Sequence, residues 1–312
     1  MHHIPITVES SNLRLELLPS CGGRIGRLQA LHGRKFVDIL CPFSDQEFDP
    51  FDWPKCGAFP LIPYSNRIRN AEFAFQGSTY QLPPQPASPH TLHGVCHTLP
   101  WRVTGFSHGM IKLAVEYNGP HWPWPIRAEQ RFTLRDDRLD IRFTFKNLGT
   151  TAMPGGVGFH PYFLTEETFE AHFRPRRQWI VGPNRLPVSV RPLPEQGVKL
   201  IAGDWRDHDF FGNYSDIVDD IVLRYGDSTL SISTCENLRH LIAFAPRGGR
   251  YLCLEPVSHV TDSVNLSGFC DSEIGLHVIP AGEILVGEIS MCWNSKADQI
   301  GILENLYSET FK

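Results

Sequence analysis

With 312 residues, 41% of them hydrophobic and 20% charged, the chain has the composition of a globular protein, long enough for one large domain or two ordinary ones. A net charge of −5 gives no general attraction to nucleic acid or to an anionic membrane, so the expected partner is a neutral small molecule or another protein. Eight scattered cysteines without a C-x-x-C pair argue against a disulfide scaffold and read as mostly buried free thiols.

The opening MHHIPITVES lacks the basic start and apolar run of a cleaved signal. No run reaches the roughly 18 apolar residues that span a bilayer. The expected location is therefore the cytosol, with no membrane partner.

Along the chain the hydrophobic period is two. Leu13, Leu15 and Leu17 alternate with Arg14 and Glu16. Ile111, Leu113, Val115 and Tyr117 share one face, as do Leu139, Ile141, Phe143 and Phe145. Each run predicts a half-buried strand. Asp136-Asp137 and Gly226-Asp227 sit where tight turns would join neighbouring strands. The 25 prolines and 26 glycines are spread throughout and break helices repeatedly. There is no long amphipathic helix, repeat or linker, although Asp298 to Lys312 could form a short helix or a frayed tail. The expectation is one all-β domain over residues 1–312, a sandwich of large antiparallel sheets.

Five segments combine reactive side chains with stiff surroundings. YSNRIRN holds Asn66 and Arg67, a fork of donors suited to ligand oxygens; its plainer reading is a solvated turn. PHTLHGVCH holds His90, His93 and His97, but no cysteine or carboxylate pattern completes a zinc site, so no metal is expected. In GFHPYF, Pro161 restricts His160 to extended backbone; the alternative is a core histidine with satisfied nitrogens. RDHDFFGNY places Asp207, His208 and Asp209 before aromatic rings, a pairing that hydroxyl-rich ligands use. In YLCLEPV an apolar strand ends on Glu255. A carboxyl there must be desolvated, paired or at work, and partial burial would raise its pKa toward that of a general base.

Together, "NRI", "LHG", "HPYF", "DHDF" and "LEPVSHVTDSVN", in this order, resemble the aldose 1-epimerase (galactose mutarotase) family. GGRIGRL and IPAGEIL resemble its opening and closing strands, so the likeness runs from about Gly22 to Trp293. It implies a β-supersandwich, no cofactor and a small sugar as partner. It also implies interconversion of the α and β anomers of a free aldohexose. Glu255 would take the anomeric proton, His160 would protonate the ring oxygen, and His93 would assist. Arg67, Asn66 and Asp207 would hold sugar hydroxyls. Where many members have a longer NxTNHSYFNL-like stretch, this chain has GGVGFHPYF. Two alternatives stand beside this reading. One is a hexose-6-phosphate epimerase, for which Arg174, Arg176 and Arg177 in RPRRQW would supply phosphate donors. The other is a sugar-binding protein without chemistry.

Overall fold

Alternation of apolar and polar side chains recurs along the long strands of the computed structural model, which describes residues 3–44, 47–86 and 88–295. The strand Trp122–Arg135 turns its even-numbered residues inward, and Arg138–Asn147 buries Leu139, Ile141, Phe143 and Phe145. The two pair antiparallel through Arg135 and Arg138, with Asp136-Asp137 as the turn. A second tight turn joins Ile221–Tyr225 to Ser228–Thr234 across Gly226-Asp227. Gly226 there has a φ of +58°, a conformation that costs glycine nothing.

These strands belong to a 9-stranded antiparallel sheet, which packs on an 11-stranded one. The principal core lies between them, where Phe143 meets Phe159 with ring centroids 5.7 Å apart. Burial of one such ring stabilises the fold by about 1.5–3 kcal/mol.

The middle of the larger sheet runs in the order Arg24–His32, Ala58–Leu61, Gly158–Leu164, Tyr251–Val257, His240–Ala245, Phe210–Ile217. The strands Gly158–Leu164 and Tyr251–Val257 do not show polar-outward alternation, because both of their faces are buried. One face joins the principal core. The other carries a second apolar cluster of Trp53, Phe59, Leu61, Tyr162, Ile242, Cys253 and Val257. This second cluster floors a cavity.

The antiparallel sandwich expected from the alternation is what forms. Cysteines remain free among the described residues; Cys21, Cys56, Cys96 and Cys253 are buried and Cys270 is exposed. No helix among the described residues is long and apolar enough to cross a membrane. The tail from Asp298 to Lys312 lies outside the described residues.

Candidate active site

His160 and Glu255 meet because of register. Gly158 pairs with Val257 and Tyr162 with Cys253, which sets His160 opposite Glu255 on the same face. His160 Nε2 lies 3.3 Å from Glu255 Oε1, and both side chains are almost fully buried. The imidazole packs nearly parallel to Phe59 at 4.6 Å and to Tyr162 at 4.7 Å. Tyr162 is held in turn, since its hydroxyl accepts a 3.0 Å hydrogen bond from Trp53 Nε1. A histidine between fixed rings on a proline-restricted strand has little freedom to turn.

Burial pushes the Glu255 carboxyl up to about 8, against the opposing pull of Arg67. Burial also drives His160 well below its ordinary 6.5, with the Arg24 cation adding to the effect. The two groups therefore hold one proton between them near neutral pH, and it rests on the carboxyl. Moving that proton across the 3.3 Å contact gives a carboxylate beside an imidazolium. Glu255 Oε2 has no hydrogen-bond partner among the described residues.

His93 stands at the edge of this pair, its ring 5.0 Å from that of His160 and nearly perpendicular to it. Its Nδ1 accepts from the Asn66 backbone N–H at 3.1 Å, and the His93 backbone N–H donates to Asn66 O at 2.9 Å. The first bond fixes the tautomer: Nε2 carries the hydrogen. Burial keeps the ring neutral, so His93 is a neutral donor. The glycine of "LHG" is required by space, since a Cβ on Gly94 would come within 2.4 Å of Ile62 O. Asn66 Oδ1 accepts from the Arg67 backbone N–H and from Arg67 Nη1. That steadies a half-buried guanidinium that pairs with no carboxylate among the described residues.

These groups line one cavity of about 320 Å3, walled by Phe51, Trp53, Phe211, Phe244 and Tyr251. Apolar ring faces around a few convergent polar groups suit a small hydroxylated ligand.

Residues 6–292 match the aldose 1-epimerase family profile. The chain belongs to the aldose 1-epimerase family. It is similar to the uncharacterized Escherichia coli protein YphB, 31% identical over 161 residues, or 47% of this chain and 55% of that one. Similarity to the E. coli aldose 1-epimerase is 25% over 145 residues, covering 45% and 41% of the two chains. The chain thus spans about half the length of the curated relatives it matches. Two solved structures share the fold. A galactose mutarotase-like protein from Clostridium acetobutylicum superposes with a TM-score of 0.81 at 18% identity, over 94% of this chain and 96% of that one. A GalM/aldose epimerase homologue from C. elegans gives 0.77 at 17% identity, over 94% and 99%.

In this aldose 1-epimerase family member, five of the six expected site residues converge: Glu255, His160, His93, Arg67 and Asn66 all line the cavity. Asp207, the sixth, is not among the lining residues. It is exposed in the bend before the strand that begins at Phe210, and its side chain is outside the cavity wall. Its neighbour Asp209 clamps a wall residue instead, accepting from Arg185 Nη2 at 2.9 Å and from the Arg247 backbone N–H at 2.9 Å. The arginines of RPRRQW also point elsewhere. Arg174 pairs with Asp219, Arg177 pairs with Asp216 and Glu273, and none of the three lines the cavity.

Ligand atoms of His93, His160 and Glu255 lie within 4.8 Å of one another, a separation that a divalent ion could bridge after small movements. The His93 tautomer opposes this, because a protonated Nε2 has no lone pair to offer. The other two histidines of PHTLHGVCH do not converge on the pair. His90 Nδ1 accepts from the Asn70 N–H, and His97 stacks on Phe59.

Sequence reading missed Lys55, Arg185, Phe244 and Tyr251, which also line the cavity. Nothing local marks them, since a lysine after Trp-Pro or an arginine in Gly-Pro-Asn-Arg reads as a solvated turn. Phe211 was nearer to hand, because it stands in the RDHDFFGNY segment.

Proposed function

We propose that this protein interconverts the α and β anomers of a free aldohexose such as glucose or galactose. The adjacency of His160 and Glu255 carries the reading. O1 and O5 of a pyranose share one carbon, so the base and the acid that serve them must stand side by side. Glu255, as carboxylate, takes the proton from the O1 hydroxyl. The C1–O5 bond breaks as its electron pair goes to O5, and the His160 imidazolium delivers a proton there. The product is an open-chain aldehyde. Rotation about C1–C2 presents the other carbonyl face, and O5 adds to it. His160 recovers the O5 proton and Glu255 returns one to O1, so the pair ends as it began.

The remaining groups bind. The neutral Nε2–H of His93 donates a hydrogen bond near the ring oxygen, where negative charge develops. Arg67, braced by Asn66, holds sugar hydroxyls and favours the ionised form of Glu255.

Anomer exchange of glucose followed by NMR tests the proposal. Glu255→Gln and His160→Asn should each lower the catalysed rate by about 10²- to 10⁴-fold while sugar binding persists. Full exchange in Glu255→Gln would overturn the assignment. A wild type that binds glucose yet exchanges its anomers no faster than buffer would make this a binding protein.

A further inference from the structure

Three cationic side chains, Lys55, Arg67 and Arg185, line the cavity, and Glu255 is the only carboxylate among its described lining residues. Lys55 pairs with Asp52 and Arg185 with Asp209, both outside the wall, while Arg67 pairs with no carboxylate among the described residues. Arg67 lies close enough to Arg185 to be held below its ordinary pKa by that second cation, after the larger effect of burial. An anion between the two guanidiniums would relieve the repulsion.

Arg185 is built into place. It sits in the loop between Pro175–Val181 and Pro187–Pro192, at a φ of +61°. Such left-handed backbone is unfavourable for arginine and is tolerated where surroundings enforce it. Its N–H donates to Gly182 O at 2.9 Å, while the Gly182 N–H donates to Leu186 O. The guanidinium lies over Phe244 at 4.6 Å and over Phe211 at 5.4 Å, and Nη2 is held by Asp209. Nε and Nη1 have no hydrogen-bond partner among the described residues, leaving part of the planar fork for a ligand.

Position matters as much as charge. Phe211 pairs with Phe244, Phe244 with Cys253, and Ile242 with Glu255. Phe211 is therefore two strands over from Glu255, about 10 Å at the usual strand spacing. The guanidinium, nearer to Phe244 than to Phe211, therefore stands one to two strands over from Glu255, to one side of the reacting pair.

We propose that the cavity takes aldohexoses bearing an anionic group, a carboxylate or a phosphate, on the ring edge away from C1, with Arg185 as the anchor. This rests on the mutarotase reading for the orientation of the ring. The chemistry is a charge-assisted, fork-like contact of arginine with an oxyanion.

Calorimetric titration of the wild type with glucose, glucuronate and glucose 6-phosphate tests it, beside anomer exchange of the same three sugars. At least one anionic sugar should bind at least about tenfold more tightly than glucose, a difference worth about 1.4 kcal/mol. Whether that is glucuronate or the phosphate distinguishes a carboxylate from a phosphate pocket. In Arg185→Gln the ratio of anionic to neutral affinity should fall to near unity. In Arg185→Lys it should recover in part, because charge returns without the fork. Equal or weaker binding of both anions, or a preference that survives Arg185→Gln, overturns the proposal. The two readings fail separately: glucose exchange without anion preference removes this one alone, and anion preference without exchange of any sugar removes the mutarotase reading alone.

Discussion

Two strand pairs of this protein follow opposite rules. Trp122–Arg135 and Arg138–Asn147 alternate, apolar inward and charged outward, and their outer face carries Arg131, Arg142 and Asp140. Gly158–Leu164 and Tyr251–Val257 are buried on both sides. The first pair has one task, covering the core. The second gives Phe159 to the core and His160 to the cavity from consecutive residues. Charge on the first pair stays hydrated and has little effect. Polar groups on the second are desolvated, so their proton affinities move by units. The sheet that holds the fold and the sheet that holds the candidate chemistry thus differ in what their second face touches.

The largest effect that would sharpen this contrast is on the shared core. Phe143→Ala should cost about 3–5 kcal/mol by urea unfolding, with the cavity pair untouched. A loss below about 1 kcal/mol would mean that the two sheets do not depend on this contact.

The Glu255 carboxyl should reveal its burial in the pH dependence of stability. Its ordinary value is 4.5 and its folded value about 8. Between these the unfolded chain has released the proton and the folded chain retains it. Folding then binds a proton, so stability falls as pH rises through that window, by up to about 1.4 kcal/mol per pH unit. Glu255→Gln cannot ionise. Relative to the wild type it should gain stability steadily from acid to mildly alkaline pH, and parallel curves would contradict the burial.

Anomer exchange should follow the same proton. Losing it from the pair near pH 8 should lower the rate about tenfold per unit above that point. Adding a second proton to His160 should lower it only well below pH 6.5. A profile flat from pH 5 to 9 would remove the pair from the mechanism.

Smallest of all should be the alternating surface. Arg142, which pairs with Glu288 on the outer face, can be changed to alanine at a cost below about 1 kcal/mol. A larger loss would show that this face is less hydrated than its pattern suggests.

The candidate site was legible where local chemistry is unusual. His160 stands out because a titratable ring sits among aromatic residues before a proline, and Glu255 because a carboxyl ends an apolar run. Asn66, Arg67 and His93 were found through the same order of short motifs. Asp207 and Asp209 could not be ranked, since both precede the same strand and only their partners tell them apart. Arg185 gave no signal, because its stacking on Phe244 and Phe211 joins residues that are distant in the chain.

The sequence by itself determined the strands, their turns and the all-β class, because alternation and turn chemistry act over a few residues and need no distant partner. It also singled out His160 and Glu255. Only the tertiary structure decided that they touch, that one proton serves both, and which side chains wall the space around them. Those outcomes depend on strand register and on exclusion of water by several segments at once. Neither is a property of any one stretch of chain.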